Sequence, residues 1–396
     1  MKTLHGLPED VIFCSKCLMS NQRPSTSPEF IKKNSKIKTA GFNKNGICDA
    51  CRFNETKKLI NWDERYKKLE KLCEKYRKSD GSYDVIVPGS GGKDSIFVSH
   101  FLKDRLGMNP LTVTWAPHEY TDIGLRNMRN WLSKGFGNIT ITPNSDIHRL
   151  LTKNAFMNLL NPFQPFIIGQ KNVAPKIAME YGIKFIMYGE NQAEIHNEID
   201  ENQTSLMDCK HFTSKSLEGI YLAGKSLKEW QKENLNINSF DSYLPISKDK
   251  WLDFGGELHY MSYFLNWSPN NNYYYAKEHC DFEQNPNGRS EGTYTRFSSL
   301  DDKLDGQHYF TMFIKFGQGR AMNDANRDIR DGFITREEGL ELVRKYDGEF
   351  PSEHFDWVLE YMQISESEYW DKINKARSPH LWKLNGDSWK LIKETK

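Results

Sequence analysis

Between residues 81 and 192 short apolar runs alternate with stretches of helical periodicity, and this alternation restricts the fold more than any other feature of the 396-residue chain. Residues 83–87, 111–115, 139–142 and 183–188 read as strands, and residues 94–106, 122–134, 146–160 and 170–181 as helices. A strand followed by a crossover helix pairs in parallel with its neighbour, almost always with a right-handed connection. The expected core is therefore an α/β, doubly wound parallel sheet whose ligands bind at the carboxyl ends of the strands.

The first of these strands runs directly into Ser90-Gly91-Gly92-Lys93-Asp94-Ser95 and then a helix. Glycines let the backbone turn tightly and bring its N–H groups against phosphate oxygens, and the helix start adds favourable partial charge. Ser90 and Ser95 offer hydroxyl donors, Lys93 a cation, and Asp94 a carboxylate for Mg²⁺. The spacing is neither a Walker A loop nor a Gly-x-Ser-x-Gly elbow. An isolated glycine-rich loop is more often a plain turn, but here it stands between a strand and a helix.

Residues 1–56 hold too few apolar side chains to form a core unaided. They do contain Cys14-x-x-Cys17 and Cys48-x-x-Cys51, which together can close a site of four thiolates around Zn²⁺ and supply the missing folding energy. With every position filled by protein, such a metal is structural. A redox pair or an iron–sulfur cluster is the alternative. Cys73 falls on the apolar stripe of a helix beginning at Trp62 and reads as core.

Three further groups are candidates. Glu190 follows the last strand, on the loop's edge of the sheet, and can hold Mg²⁺ or orient a nucleophile; the plainer reading is a helix cap or exposed acid. Gln170 and Lys171 are expected to begin a helix and can approach nucleotide phosphates there; the plainer reading, without a phosphate, is favoured. Near the C-terminus Arg296, Arg320, Arg327 and Asp331 lie in stretches that mix basic, acidic and glycine residues. They suit a phosphorylated sugar, or equally a salt-bridged surface.

With 54 Lys+Arg against 53 Asp+Glu the chain is nearly neutral, which argues against a nucleic-acid or membrane coat. Residues 1–80 are the exception, with 18 basic and 10 acidic side chains that form either a solvated face or a surface for an anion. No apolar run approaches the roughly 18 residues that span a bilayer, and seven cysteines suit a reducing compartment, so a cytoplasmic location is expected. The expected division is a four-cysteine zinc-binding module at 1–58, a linking helix at 59–80, an α/β ATP-binding domain at 81–235, and a mostly helical substrate or partner domain at 236–396.

The Ser-Gly-Gly-x-Asp-Ser spacing resembles the loop of the PP-loop ATP pyrophosphatases, which implies their HUP-like fold, with ATP and Mg²⁺ as cofactors beside the structural Zn²⁺. Asn21-x-Arg23-Pro24 between the cysteine pairs, Phe166-Ile167-Ile168-Gly169-Gln170-Lys171, Tyr188-Gly189-Glu190-Asn191, Gly292-Thr293-Tyr294-Thr295 and Ile329-Arg330-Asp331-Gly332 are similar to blocks of the N-acetyl sugar amidotransferases. One departure is the insert at residues 32–40. The resemblance implies that a sugar acetamido group becomes an acetamidino group in surface-polysaccharide or flagellar glycan synthesis, with Lys93, Asp94 and Glu190 in catalysis. It also implies an N-acetylated, nucleotide-linked sugar as substrate and glutaminase and cyclase-like subunits as ammonia-supplying partners, with no nucleic acid or membrane. The rivals are a PP-loop tRNA-modifying enzyme, of the thiolase or lysidine-synthetase kind, and a non-enzymatic zinc-ribbon module.

Overall fold

The computed structural model describes residues 3–32, 37–191, 194–195 and 199–395. Positions 33–36 of the insert thus lie outside the described residues. Asp49–Lys57 forms α1, and Trp62–Tyr76 forms α2, whose Asn61 cap accepts a bond from the Glu64 amide at 3.2 Å. Leu69 and Cys73 are its buried face, in keeping with the apolar stripe.

The central sheet then builds up in order. Val85–Pro88 is β1, Lys93–Asp104 is α3, Pro110–Trp115 is β2, Asp122–Ser133 is α4 and Gly137–Ile141 is β3. Ser145–Leu159 is α5, Gln164–Tyr181 is α6 and Phe185–Tyr188 is β4. After two short strand pairs, β5 (Thr213–Ser214) with β8 (Ile246–Ser247) and β6 (Tyr221–Leu222) with β7 (Lys225–Ser226), and helices α7 (Leu227–Lys232) and α8 (Lys248–Phe254), Glu257–Tyr260 supplies β9. The sheet order is β3-β2-β1-β4-β9, parallel throughout. Helices α2 and α3 pack on one face; α5 and α6 cover the other with the largest apolar cluster. The parallel core expected from the alternation is present, and its fifth strand comes from beyond residue 235.

The rest of the chain is mostly helical: α9 (Pro269–Cys280), α10 (Asp305–Phe316), α11 (Arg320–Asp331), α12 (Arg336–Tyr346), α13 (Phe355–Met362) and α14 (Glu366–Lys375), with irregular chain at 281–304 and a closing hairpin of β10 (Trp382–Asn385) and β11 (Ser388–Leu391). Capping boxes at Thr335/Glu338 and Ser365/Glu368 start α12 and α14. The N-terminal segment does not stand alone. Leu18 is buried against Met322, Ala325 and Val343, and Leu7 against Leu381 and Trp382, so both ends of the chain share one layer. Among the described residues no helix is long and apolar enough to cross a membrane.

Candidate functional site

The glycine-rich loop sits where the sheet order reverses, between β1 and β4, the position at which open parallel sheets bind ligands. The Gly89 amide continues the ladder to the Val113 carbonyl at 2.9 Å, after which the chain turns into α3. Gly91 has φ +84°, and a Cβ there would stand 2.6 Å from the Met128 Cα, so only glycine fits. Gly92 differs. Its φ of −72° suits any residue, yet a Cβ on it would meet no atom within 4 Å. Gly92 lines a cavity of about 430 Å³, with the first-turn amides of α3 beginning at Lys93 beside it.

The loop side chains are held from several directions. The Ser90 hydroxyl donates to Asp301 Oδ2 at 2.6 Å and the Ser95 hydroxyl to the Gly92 carbonyl at 2.9 Å. Lys93 Nζ lies 2.7 Å from Asp94 Oδ2 and 5.0 Å above the Phe297 ring, and Asn272 on α9 donates to Asp94 Oδ1 at 2.9 Å. Burial would raise the Asp94 carboxyl, but the charge and hydrogen bond of Lys93, with the Asn272 bond and the Arg327 charge, outweigh it and hold Asp94 below the usual carboxylate range.

The four cysteines come together as the spacing predicted. Cys14, Cys17, Cys48 and Cys51 are buried with all four sulfurs within 4.8 Å of one another. Cys14 Sγ is 3.8 Å from Cys51 Sγ, and Cys17 Sγ is 3.7 Å from Cys48 Sγ. A tetrahedron with metal–sulfur bonds of about 2.3 Å has edges of about 3.8 Å, whereas a disulfide needs about 2.05 Å. The amides of Lys16, Cys17, Met19 and Cys48 point at these sulfurs, as donors do around thiolates. The cluster can hold a structural metal such as zinc. The neighbouring cysteines pull the Cys14 thiol down and push the Cys48 and Cys51 thiols up, a sharing of protons that a cation would resolve.

Opposite the loop, the cavity wall comes from β4 and the C-terminal half. Glu190 is bound to Arg327 at 2.6 Å; burial pushes its carboxyl up to about 7 although the guanidinium works the other way. Asp305 is likewise pushed up to about 7 by burial, against the charge of Arg320, and burial raises Asp301. Arg320 reaches Asp324 at 3.2 Å and bonds to the Tyr309 hydroxyl. Asp301, Asp305 and Arg320 belong to one stretch of sequence. Residues 291–396 match the family model described as LPS biosynthesis protein WbpG-like, C-terminal domain. No curated protein matches the chain. The WbpG-like region supplies Asp301, Asp305 and Arg320 to the cavity, while the loop and the cysteines lie before it.

The remaining candidates separate. Gln170 and Lys171 do line the cavity, but they do not begin a helix: α6 starts at Gln164, with Pro165 in its first turn, so the backbone amides at 170 and 171 lie mid-helix. Only their side chains can act there. Burial draws Lys171 down to about 8, and its ammonium lies 5.4 Å from the Tyr188 ring centre. Asp331 of the WbpG-like region joins Lys57, Glu194, Arg327 and Arg330 around a small polar cavity between α1 and Glu190, in which Lys57 and Glu194 pair at 2.9 Å. Arg296 is exposed and lines neither this cavity nor that of the loop.

Sequence reading missed Asp301, Asp305 and Asn272. The first two stand in an acidic run that fits no metal-loop spacing, and nothing local to Asn272 shows that α9 packs beside α3. The Gly292–Thr295 block proves to anchor α11 rather than face the loop. Thr293 donates to Asp324 at 2.7 Å and Tyr294 to Asp328 at 2.7 Å.

Proposed function

We propose that the chain is an ATP-dependent amidotransferase of surface-glycan synthesis that converts a sugar acetamido group into an acetamidino group. The observation that carries this reading is the pairing, in one cavity, of the open Gly92 cradle with Asp301, Asp305 and Arg320, which come from a region similar to an LPS biosynthesis family. An amide carbonyl is a weak electrophile and its oxygen a poor leaving group, so the oxygen must be activated. Attack of that oxygen on the α-phosphorus of ATP forms an O–P bond and breaks the bond to pyrophosphate, leaving an O-adenylyl imidate. Ammonia then adds to the imidate carbon, the C–O bond breaks with its electron pair going to AMP, and loss of a proton leaves the amidine.

In this reading the amides of the loop and of the first turn of α3 receive the departing pyrophosphate, with Lys93 as its cation. Arg320 presents fixed positive charge across the cavity, with Arg327 behind Glu190. Glu190, poised near neutrality by burial, takes the proton from the adding ammonia. Mg²⁺ would be held by Asp94 and by the nucleotide's own phosphates; when bound it neutralises phosphate charge. Both Asp94 oxygens are engaged by Lys93 and Asn272, so one contact gives way to the ion. Zinc in the cysteine cluster is structural. Free ammonia is mostly protonated at neutral pH, which favours partner subunits that release it from glutamine under cover.

The test is incubation with MgATP, ammonium and a panel of N-acetylated nucleotide sugars, read by mass spectrometry. AMP, pyrophosphate and a product about 1 Da lighter than the sugar, the difference between oxygen and imino nitrogen with its hydrogen, are expected, and Asp94→Ala should abolish all three while the fold survives. AMP formation with tRNA alone would replace this reading by the tRNA-modifying one, and absence of nucleotide turnover would favour a binding module.

A further inference from the structure

The loop cavity has a neighbour. A second cavity of about 450 Å³ lies against it, and Ser299, Leu300 and Asp302 line both. Single ligand pockets span about 300–1,000 Å³, and about 430 Å³ beside the loop stands at the lower end of that range, the size for one ligand. Two substrates that react with each other need adjoining seats, so that the reacting atoms can approach.

The common wall is built for that position. Asp301 reaches the loop through Ser90 at 2.6 Å, while Asp302 accepts both the amide and Nδ1 of His118 at 2.8 Å. The Lys303 amide donates to the Glu119 carbonyl at 3.0 Å, so the strip is pinned on the side away from the loop as well. Ser299, at the junction of the cavities, has φ +55°, a left-handed conformation that a non-glycine residue keeps only where the surroundings enforce it. The second cavity is lined by hydroxyl, amide and carboxylate side chains, among them Thr121, Asp122, Asn287, Ser290 and Glu353, together with the backbone around Gly306. Carboxylates outnumber cations in this lining, which disfavours a phosphate and suits the hydroxyls of a neutral ring. More than half of it comes from the WbpG-like region.

We propose that the second cavity seats the acceptor, a neutral polyhydroxylated ring carrying an acetamido group, with its carbonyl directed over the Ser299–Asp302 strip toward the nucleotide. This rests on the amidotransferase reading for the identity of the ligand, not for the existence of the cavity. Asn287 and Glu353 are exposed rim residues from separate segments, so Asn287→Trp and Glu353→Trp fill the cavity without disturbing the core. Equilibrium binding of free N-acetylglucosamine, a neutral ring with an acetamido group, is the readout, with ATP binding and thermal unfolding alongside. Both variants should bind this sugar about tenfold more weakly than the unaltered protein, with ATP affinity held within about twofold. Unchanged sugar affinity in both variants, or no sugar binding by the unaltered protein, overturns the assignment. Sugar binding lost in the variants, with no AMP formed from any sugar by the unaltered protein, would instead sink the amidotransferase reading and leave the cavity standing.

Discussion

Adjacent glycines in the loop carry separate duties. Gly91 is required by its own backbone and by Met128, so Gly91→Ala should destabilise the protein by about 1–3 kcal/mol in thermal or urea unfolding. Gly92 has an ordinary conformation and faces open space, and Gly92→Ala should cost at most about 1 kcal/mol as the loss of a favourable N-cap. Its methyl would occupy the cradle, and ATP-dependent AMP formation should fall about 100-fold. Full turnover by a stable Gly92→Ala protein would mean that phosphate does not sit there. The glycine-rich pattern was legible in the sequence; which glycine shapes the loop and which leaves room was not, because that depends on where α4 packs.

At the level of elements, α11 works on two faces. One carries Arg320 toward the loop cavity and Arg327 toward Glu190; the other packs Met322 and Ala325 on Leu18, whose amide donates to Asn326 Oδ1 at 2.7 Å. Leu18 therefore sets the seat of the helix that presents both arginines. Leu18→Ala should cost about 2–5 kcal/mol of stability by urea unfolding, the range for a leucine truncated in a closed core. A loss below about 1 kcal/mol would show that α11 does not depend on the N-terminal segment. Periodicity in the sequence marks α2 and α4 well, since each has a clear apolar stripe. Helix α6 starts six residues before the expected Gln170, because Gln164-Pro165 looks like a loop while Pro165 is in fact a first-turn proline. Strand β9 was missed for another reason: four residues are too few to show a period, and only pairing with β4 makes them a strand.

Across the whole molecule the cysteine cluster is tied to the rest of the fold, not appended to it. Ile329 packs against it, Arg330 lies in its field, and α1 leads from Cys51 to the Lys57–Glu194 pair beside Glu190. If the cluster holds zinc, treatment with a chelator should thus lower hydrogen-exchange protection in α11 as well as in α1. Loss confined to α1 would make the cluster a separate module.

By itself the sequence determined the parallel core, the strand–loop–helix unit and the pairing of two Cys-x-x-Cys motifs. Each is written in short-range spacing: apolar period, glycine position, and ligands a fixed number of residues apart. The tertiary structure alone decided that Asp301 meets Ser90 across 211 positions, that Arg327 meets Glu190 across 137, and that Arg296 stays at the surface. It also decided that two cavities share one wall. Such partners are chosen by which helix faces bury against one another, and a local pattern holds no record of the far surface that will cover it.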